Sequence, residues 1–435
     1  MPVADFSIFQ RTLTASRAWV LLTLIASGVG AGASALLADD LVSNEQANKH
    51  GLQRAWFAHI RVDRTRHRIS NWTLDGNHLF ALTTDGTVQA INAETGETLW
   101  VVEIATRSDS TVGLAVNSEH VAVLSATRLH ILDRRDGRLR WSRSIGGAPS
   151  SSPALSKRHV YVALLSGRIE GYELEKSSAD PWNYQSVGRS FHSPVATRNV
   201  VSWPTDEGYL YVGSIDNPRP LYRIQTNDEI VAAPTDQEPY LYVASLDGYL
   251  YCFHELTGTE LWRYSTGFSI VSKPAIVGDR AFVASERPAL HCIDSATGKR
   301  LWRVAGVSQF VAQGGHSSYG LDQRGTLSIL DKETGSLIGR IATSSRVSAI
   351  VNDQSDRIFL VTSRGFVQCL REIGATEPTW YRGTTSEKEK AEDPDASADE
   401  NPFEEQDLSA GAEESATEVA PTEEAEADDA KLFLE

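Results

Sequence analysis

The sequence predicts an all-β fold: an eight-bladed β-propeller of four-stranded blades, closed by a strand from its N-terminal side. Three observations predict it. A turn motif ending in a tryptophan recurs along the chain. Large aromatics follow one another every 40 or 41 residues. A hairpin-turn position can be placed eight times in the same stretch. A period near 40 residues, with strand-forming runs between turn signals, is the mark of propeller blades.

The motif is clearest in Ala90-Ile-Asn92-Ala-Glu-Thr95-Gly96-Glu-Thr-Leu99-Trp100. It returns at Ile131–Trp141, where Asp133 and Gly137 keep the pattern. It returns again at Cys252–Trp262 with Thr257-Gly258, and at Cys292–Trp302 with Asp294 and Thr297-Gly298. A fifth copy, Ile329–Gly339, keeps Asp331 and Thr334-Gly335 but lacks the tryptophan. The aromatic positions run Trp100, Trp141, Trp182, Tyr222, Trp262, Trp302.

Each unit reads as four strands. Around Asp247, Ile230-Val231 leads into Ala233-Pro234, and Tyr240–Ala244 is a short β-rich run. Asp247-Gly248 forms the hairpin turn, and Tyr249–Phe253 is the next strand. Thr257-Gly258 makes a second turn before the outer strand Leu261–Tyr264. Asp and Gly suit such turns because they tolerate positive φ. In the recurring turn, Asn or Asp can bond its own backbone two residues on, while Gly supplies the left-handed conformation.

The hairpin positions are Gly86, Thr127, Gly167, Gly208, Gly248, Ala289, Gly325 and Gly365, with degenerate turns at Thr127 and Ala289. The last unit stops after Phe366–Ile373 without an outer strand of its own. Arg54–Val62 resembles the outer strand Leu99–Ile104, so Trp56–Val62 is expected to complete blade eight. Such closure removes open sheet edges. A seven-bladed ring would require one degenerate unit to be something else.

A large, mostly apolar side chain repeated once per blade is best placed between blades. Trp56, Trp100, Trp141, Trp262 and Trp302 are therefore expected to dock one blade on the next. Gly96, Gly137, Gly258, Gly298 and Gly335, which form the recurring turns, are counted with them among the blade-docking residues. These are structural roles, and no catalytic, cofactor-binding or metal-binding residue is assigned.

These runs resemble the quinoprotein (PQQ)-type repeat, whose pattern is Ala-x-Asp-x-x-Thr-Gly-x-x-x-Trp. The stretch from about Trp56 to Ile373 resembles the BamB-type outer-membrane assembly propellers, which carry eight such blades. The resemblance implies a protein partner in the cell envelope. The chain departs from that pattern in having no lipid-acceptor cysteine near its N-terminus and in carrying an acidic tail.

Enzymatic quinoproteins hold their cofactor beside an adjacent cysteine pair. Here Cys252, Cys292 and Cys369 are isolated. The first two occupy the position that Ala90 fills, so all three read as small core residues. The odd, sparse count also argues against a disulfide framework. No His-x-His, His-x-x-x-His or Cys-x-x-Cys spacing supports a transition-metal site. Asn352-Asp353-Gln-Ser-Asp356 lacks the Gly and distal Glu of a calcium loop and reads as a turn. No phosphate-binding loop or nucleophile elbow occurs. The expectation is a non-enzyme without cofactor.

The formal charge of −16 is unevenly placed. Residues 376–435 hold 20 of the 57 acidic side chains and 4 of the 41 basic ones, which leaves the body neutral. A neutral body has no basic surplus to bind nucleic acid. Residues 54–375 are the expected propeller, a monomeric ring. Residues 376–435 are expected to be a disordered acidic tail, either solvating or a docking segment for a basic partner.

At the other end, Ala18–Ala38 is free of charge, with Arg11 and Arg17 before it and Asp39 and Asp40 after it. Residues 1–38 are a signal peptide, with Ala33-Ser34-Ala35 as the cleavage region, or a single-pass membrane anchor. Either reading places the body in the periplasm or facing it. Residues 39–53 read as a linker. The functional expectation is a non-catalytic interaction scaffold of the cell envelope. The alternative is a PQQ-dependent oxidoreductase or small-ligand sensor using the propeller funnel.

Overall fold

The computed structural model describes residues 41–62, 67–104, 110–215 and 219–382. The expected signal or anchor and most of the acidic tail lie outside these residues. Among the described residues, no helix is long and apolar enough to cross a membrane.

Eight four-stranded antiparallel sheets follow one another along the chain. Blade one spans Ile69–Glu103, blade two Thr111–Ser144, blade three Ala154–Gln185 and blade four Val195–Gln225. Blade five spans Thr235–Ser265, blade six Ala275–Ala305 and blade seven Gln309–Ile341. Blade eight takes its three inner strands from Val347–Glu372 and its outer strand from Leu52–His59. The eight-bladed ring closed by an N-terminal strand is thus the architecture found.

The closing strand runs Leu52↔Glu372 to His59↔Phe366, with a bulge between Arg54 and Trp56. It begins four residues earlier than Trp56, the start expected from the sequence, and ends before Val62. The ladder continues by one bond from Ile60 N–H to the Gly365 carbonyl (2.7 Å).

Each seam between neighbouring blades is filled by its own apolar cluster. Trp100, Phe80, Leu114 and Val121 fill the seam between blades one and two. Val200, Leu241 and Tyr251 fill the one between four and five. Strand periodicity explains this, since alternate side chains on the middle strands face opposite neighbours. Second and third strands are therefore buried on both sides through their middles, and His120–Ser125 is buried along its whole length.

Two departures from the sequence reading lie at the chain ends of the ring. The segment read as a linker holds a helix, Asn44–Lys49, which starts with a capping box between Ser43 and Gln46. Its Leu41, Val42 and Ala47 are buried in the cluster between blades seven and eight, with Leu327, Ile341 and Leu370. That seam lacks a tryptophan, because Gly339 stands at the repeat position. A Cβ on Gly339 would lie 2.8 Å from His50 Nδ1. The segment Leu41–His50, with the helix inside it, therefore supplies at this seam the apolar volume that a tryptophan supplies elsewhere.

The second departure concerns Thr376–Arg382, read as the start of the disordered tail. These residues are ordered against the turn of blade eight. Tyr381 N–H donates to the Gln354 carbonyl (2.8 Å), and Trp380 bridges Ser355. The composition of the whole segment concealed a local Thr-Trp-Tyr-Arg run rich in β-forming side chains.

Candidate functional site

The recurring turns show why the repeat has its pattern. In blade one, Asn92 Oδ1 accepts from the N–H groups of Glu94 (2.9 Å) and Thr95 (3.0 Å). In blade seven, Asp331 Oδ1 accepts from Thr334 N–H (2.8 Å) and Thr334 Oγ1 (2.7 Å). Those Thr334 bonds hold the Asp331 carboxyl below its ordinary range, and Thr297 does the same for Asp294. Gly96 and Gly335 follow with φ of 74° and 69°, where a side chain is strained.

Each glycine is also a landing site. Trp56 donates its indole N–H to the Ala93 carbonyl (2.9 Å), and its ring covers Gly96. Trp100 donates to Arg134 (2.8 Å) and covers Gly137. Trp262 donates to Ser295 (3.1 Å) over Gly298, and Trp302 to Lys332 (3.0 Å) over Gly335. A Cβ at any of these four glycines would come within 2.6 Å of the ring. Trp141 donates to Leu174 (2.9 Å), where blade three has no Thr-Gly turn.

Gly258, the fifth glycine singled out, is covered by Tyr222, whose hydroxyl donates to the Glu255 carbonyl. Sequence spacing marked Tyr222 as the tryptophan's substitute but left it out of the docking set. Trp182 docks differently, edge-on to Trp203 of blade four at 6.3 Å and 71°.

The three cysteines lie beneath these rings, in separate seams. Cys252 pairs with Trp262 across the ladder, Cys292 with Trp302, and Cys369 with Trp56. All are free and buried. Burial pushes the Cys252 and Cys292 thiols up to about 12, and pushes Cys369 up as well. Among the described residues no group of three His, Cys, Asp or Glu side chains could hold a metal ion. Asn352 instead organises its loop as a turn, with Oδ1 accepting from Gln354 N–H (3.0 Å) and Ser355 N–H (2.9 Å). Separate thiols and this donor set do not fit a quinone held over calcium.

Antiparallel order puts two kinds of connection on each face of the ring. One face carries the turns from inner to second strand and from third to outer strand, including the Thr-Gly turns. The other carries the hairpins between second and third strands and the crossings between blades. On this second face several apolar side chains stand exposed: Leu165, Val187, Phe191, Phe268 and Val271, between 41% and 53%.

The loops bearing them are fixed in place. Val187 N–H donates to Tyr211 Oη (3.0 Å), and Arg189 and Asp206 exchange two bonds at 2.6 and 2.9 Å. Thr266 N–H donates to Gly248 (2.9 Å), and Glu286 N–H to Ser269 (2.8 Å). The guanidiniums of Arg189 and Arg287 lie over the rings of Phe191 and Phe268 at 5.8 and 5.4 Å. Between the two phenylalanines in chain order, the same face carries Asp206, Glu207, Asp228, Glu229 and Asp247. Held apolar groups with acidic loops between them suit recognition of a protein surface.

The ring axis holds a cavity of about 510 Å³, lined from blades one, two, six, seven and eight by Trp72, Asp75, Lys273, Gln309 and Ser348 among others, with Arg382. Sequence reasoning missed Arg382 because only the fold brings the residues after blade eight to the axis. It missed Arg357 for a like reason. This side chain is fully buried and pairs with Glu94 (2.9 Å) and Asp356 (2.9 Å).

Solved structures share this fold. BamB from Moraxella catarrhalis superposes with a TM-score of 0.60 at 21% identity, covering 74% of this chain and 97% of that one. The computationally designed Ika8 protein gives 0.57 at 16%, covering 73% and 97%. The C-terminal WD40 domain of Sif2 gives 0.57 at 15%, covering 74% and 98%. No curated protein matches the sequence. The family described as outer membrane protein assembly factor BamB matches residues 63–212, 246–315 and 290–397, well over half of the chain. The chain belongs to that family.

Proposed function

We propose that this chain is a non-catalytic docking scaffold of the cell envelope, which holds a protein partner on the face of Phe191 and Phe268. The observation that carries this reading is the set of exposed apolar side chains on one face, fixed by backbone bonds, with carboxylates on the loops between them. Aromatic anchors beside arginines are the groups that dominate protein interfaces. Membership of the BamB family supports an envelope setting and a partner in outer-membrane protein assembly. The carboxylates of blades four and five favour a partner with a basic rim.

The test is affinity capture from solubilised envelopes with the full chain and with the variant Phe191→Glu/Phe268→Glu. The reading expects the parent chain to capture an envelope protein that the folded variant loses. Equal capture by both would contradict it.

A further inference from the structure

The Thr-Gly-turn face of the ring has a peptide seated at its centre, and that peptide is the chain's own. Thr379 N–H donates to Asp356 Oδ1 (3.2 Å), and Asp356 N–H donates to the Thr379 carbonyl (3.2 Å). Tyr381 pairs by backbone with Gln354 (2.8 Å), and its hydroxyl donates to the Gly314 carbonyl of blade seven (3.2 Å). Backbone pairing of an extended segment to an existing edge is how domains commonly bind peptides. At the segment's end Arg382 Nη1 donates to the Asp236 carbonyl of blade five (3.0 Å) and lies 3.9 Å from that residue's carboxylate. Arg382 Nη2 lies 3.4 Å from Asp353 Oδ2 of blade eight, and its side chain is 21% exposed. Burial would lower the arginine's pKa, but the carboxylates of Asp353, Asp236 and Asp75 hold it raised.

We propose that the channel mouth between blades five and eight is a recognition site for an extended peptide bearing an arginine, filled in cis by Thr376–Arg382. The seated strap defines the ligand class. Its backbone satisfies the edge at Gln354–Asp356, while a guanidinium spans two carboxylates and a carbonyl of blades five and eight. A planar fork of donors meets such spaced acceptors, where a point charge engages fewer of them. The tether gives the strap a high effective concentration, so a partner's peptide competes only when the strap is weakened or the partner is abundant. This site lies on the face opposite Phe191 and Phe268 and is independent of the scaffold reading.

The experiment uses the full chain and a labelled pentapeptide, Thr-Trp-Tyr-Arg-Gly, followed by fluorescence anisotropy. Arg382→Glu places a third carboxylate against Asp236 and Asp353 and expels the strap's end. The peptide is expected to bind this variant at least about tenfold more tightly than the parent chain. Adding Asp353→Asn should remove that gain, and a peptide with Lys in place of Arg should bind more weakly. Arg382→Ala, which leaves the strap's backbone pairing untouched, should show a smaller gain of the same sign. Unchanged thermal unfolding of each variant certifies the ring. Equal binding by the parent and Arg382→Glu, no binding to a folded Arg382→Glu, or a gain insensitive to Asp353→Asn would each overturn the proposal.

Discussion

Arg357 and Glu94 stand 263 residues apart and meet across the closing seam of the ring, with Arg357 Nε donating to the Glu94 carboxylate at 2.9 Å. Glu94 sits in the first Thr-Gly turn of blade one, and Arg357 leads into the second strand of blade eight. The same guanidinium donates to Asp356 (2.9 Å) and to the Thr376 carbonyl (3.0 Å). One fully buried cation thus joins the first blade, the last blade and the strap.

Removing Arg357 leaves the half-buried Glu94 and the buried Asp356 facing each other without their shared cation. Arg357→Leu is expected to destabilise the ring by about 3–5 kcal/mol, the cost of breaking a buried pair. Glu94→Gln keeps a hydrogen-bond acceptor and should cost clearly less. Urea unfolding of both variants checks the order. A loss under about 0.5 kcal/mol for Arg357→Leu would show that the seam does not depend on it.

The docking tryptophans make a paired prediction. Trp302 is buried and bonded to Lys332, while its neighbour Leu301 is 46% exposed on the same strand. Trp302→Ala is expected to cost about 3–5 kcal/mol, and Leu301→Ala under about 0.5 kcal/mol. Gly335→Ala should also destabilise, because it adds a Cβ 2.6 Å from the Trp302 ring at a φ of 69°. Thermal unfolding of the three variants tests the set. Equal effects of the Trp302 and Leu301 changes would contradict the docking role.

How much of this was legible beforehand depended on whether the signal repeats. Trp56 could be matched to Trp100 because both stand in a similar outer-strand run, so the closing strand was readable from one motif. Its start at Leu52 was not, because the bulge at Arg54–Trp56 shifts the register without marking the sequence. The helix Asn44–Lys49 was hidden for another reason. It compensates for the tryptophan missing at Gly339, and the need for it arises only when blades seven and eight are brought together. Arg357, Arg382 and Asp353 are single residues whose partners lie in distant blades, and periodicity carries no information about such pairs. Phe191 and Phe268 lie in crossings between blades, where the repeat varies most.

The thiols are expected to be inert in the folded protein. Cys252, Cys292 and Cys369 are buried, and burial pushes each thiol up, to about 12 for the first two. The thiolate is the reactive form. Iodoacetamide at neutral pH should leave the native chain unlabelled and label all three positions once urea unfolds it, as read by mass spectrometry. Rapid labelling of any one in the native protein would show that its seam opens.

His291 makes stability depend on pH. It is buried beside Tyr264, whose hydroxyl lies 2.9 Å from Nδ1. Burial, aided by Arg303 and Arg300, pushes its pKa from 6.5 down to about 4. Between those two values the unfolded chain binds a proton that the folded chain refuses. The contribution is therefore complete above the unfolded pKa and is lost as pH falls toward the folded one, by up to about 3 kcal/mol. His291→Gln should flatten the stability curve in that window, as measured by urea titrations at stepped pH. An unchanged slope would show that His291 accepts its proton in the folded state.

The measurement that tests the scaffold reading most directly is site-specific photocrosslinking in intact envelopes. A benzophenone side chain is placed at Phe191, at Phe268, or at Leu256 on the opposite face. Leu256 is 49% exposed and so equally available. The account predicts one discrete crosslinked protein shared by the Phe191 and Phe268 positions and missing at Leu256. A ladder of unrelated products at all three positions, or none at Phe191 and Phe268, would contradict it.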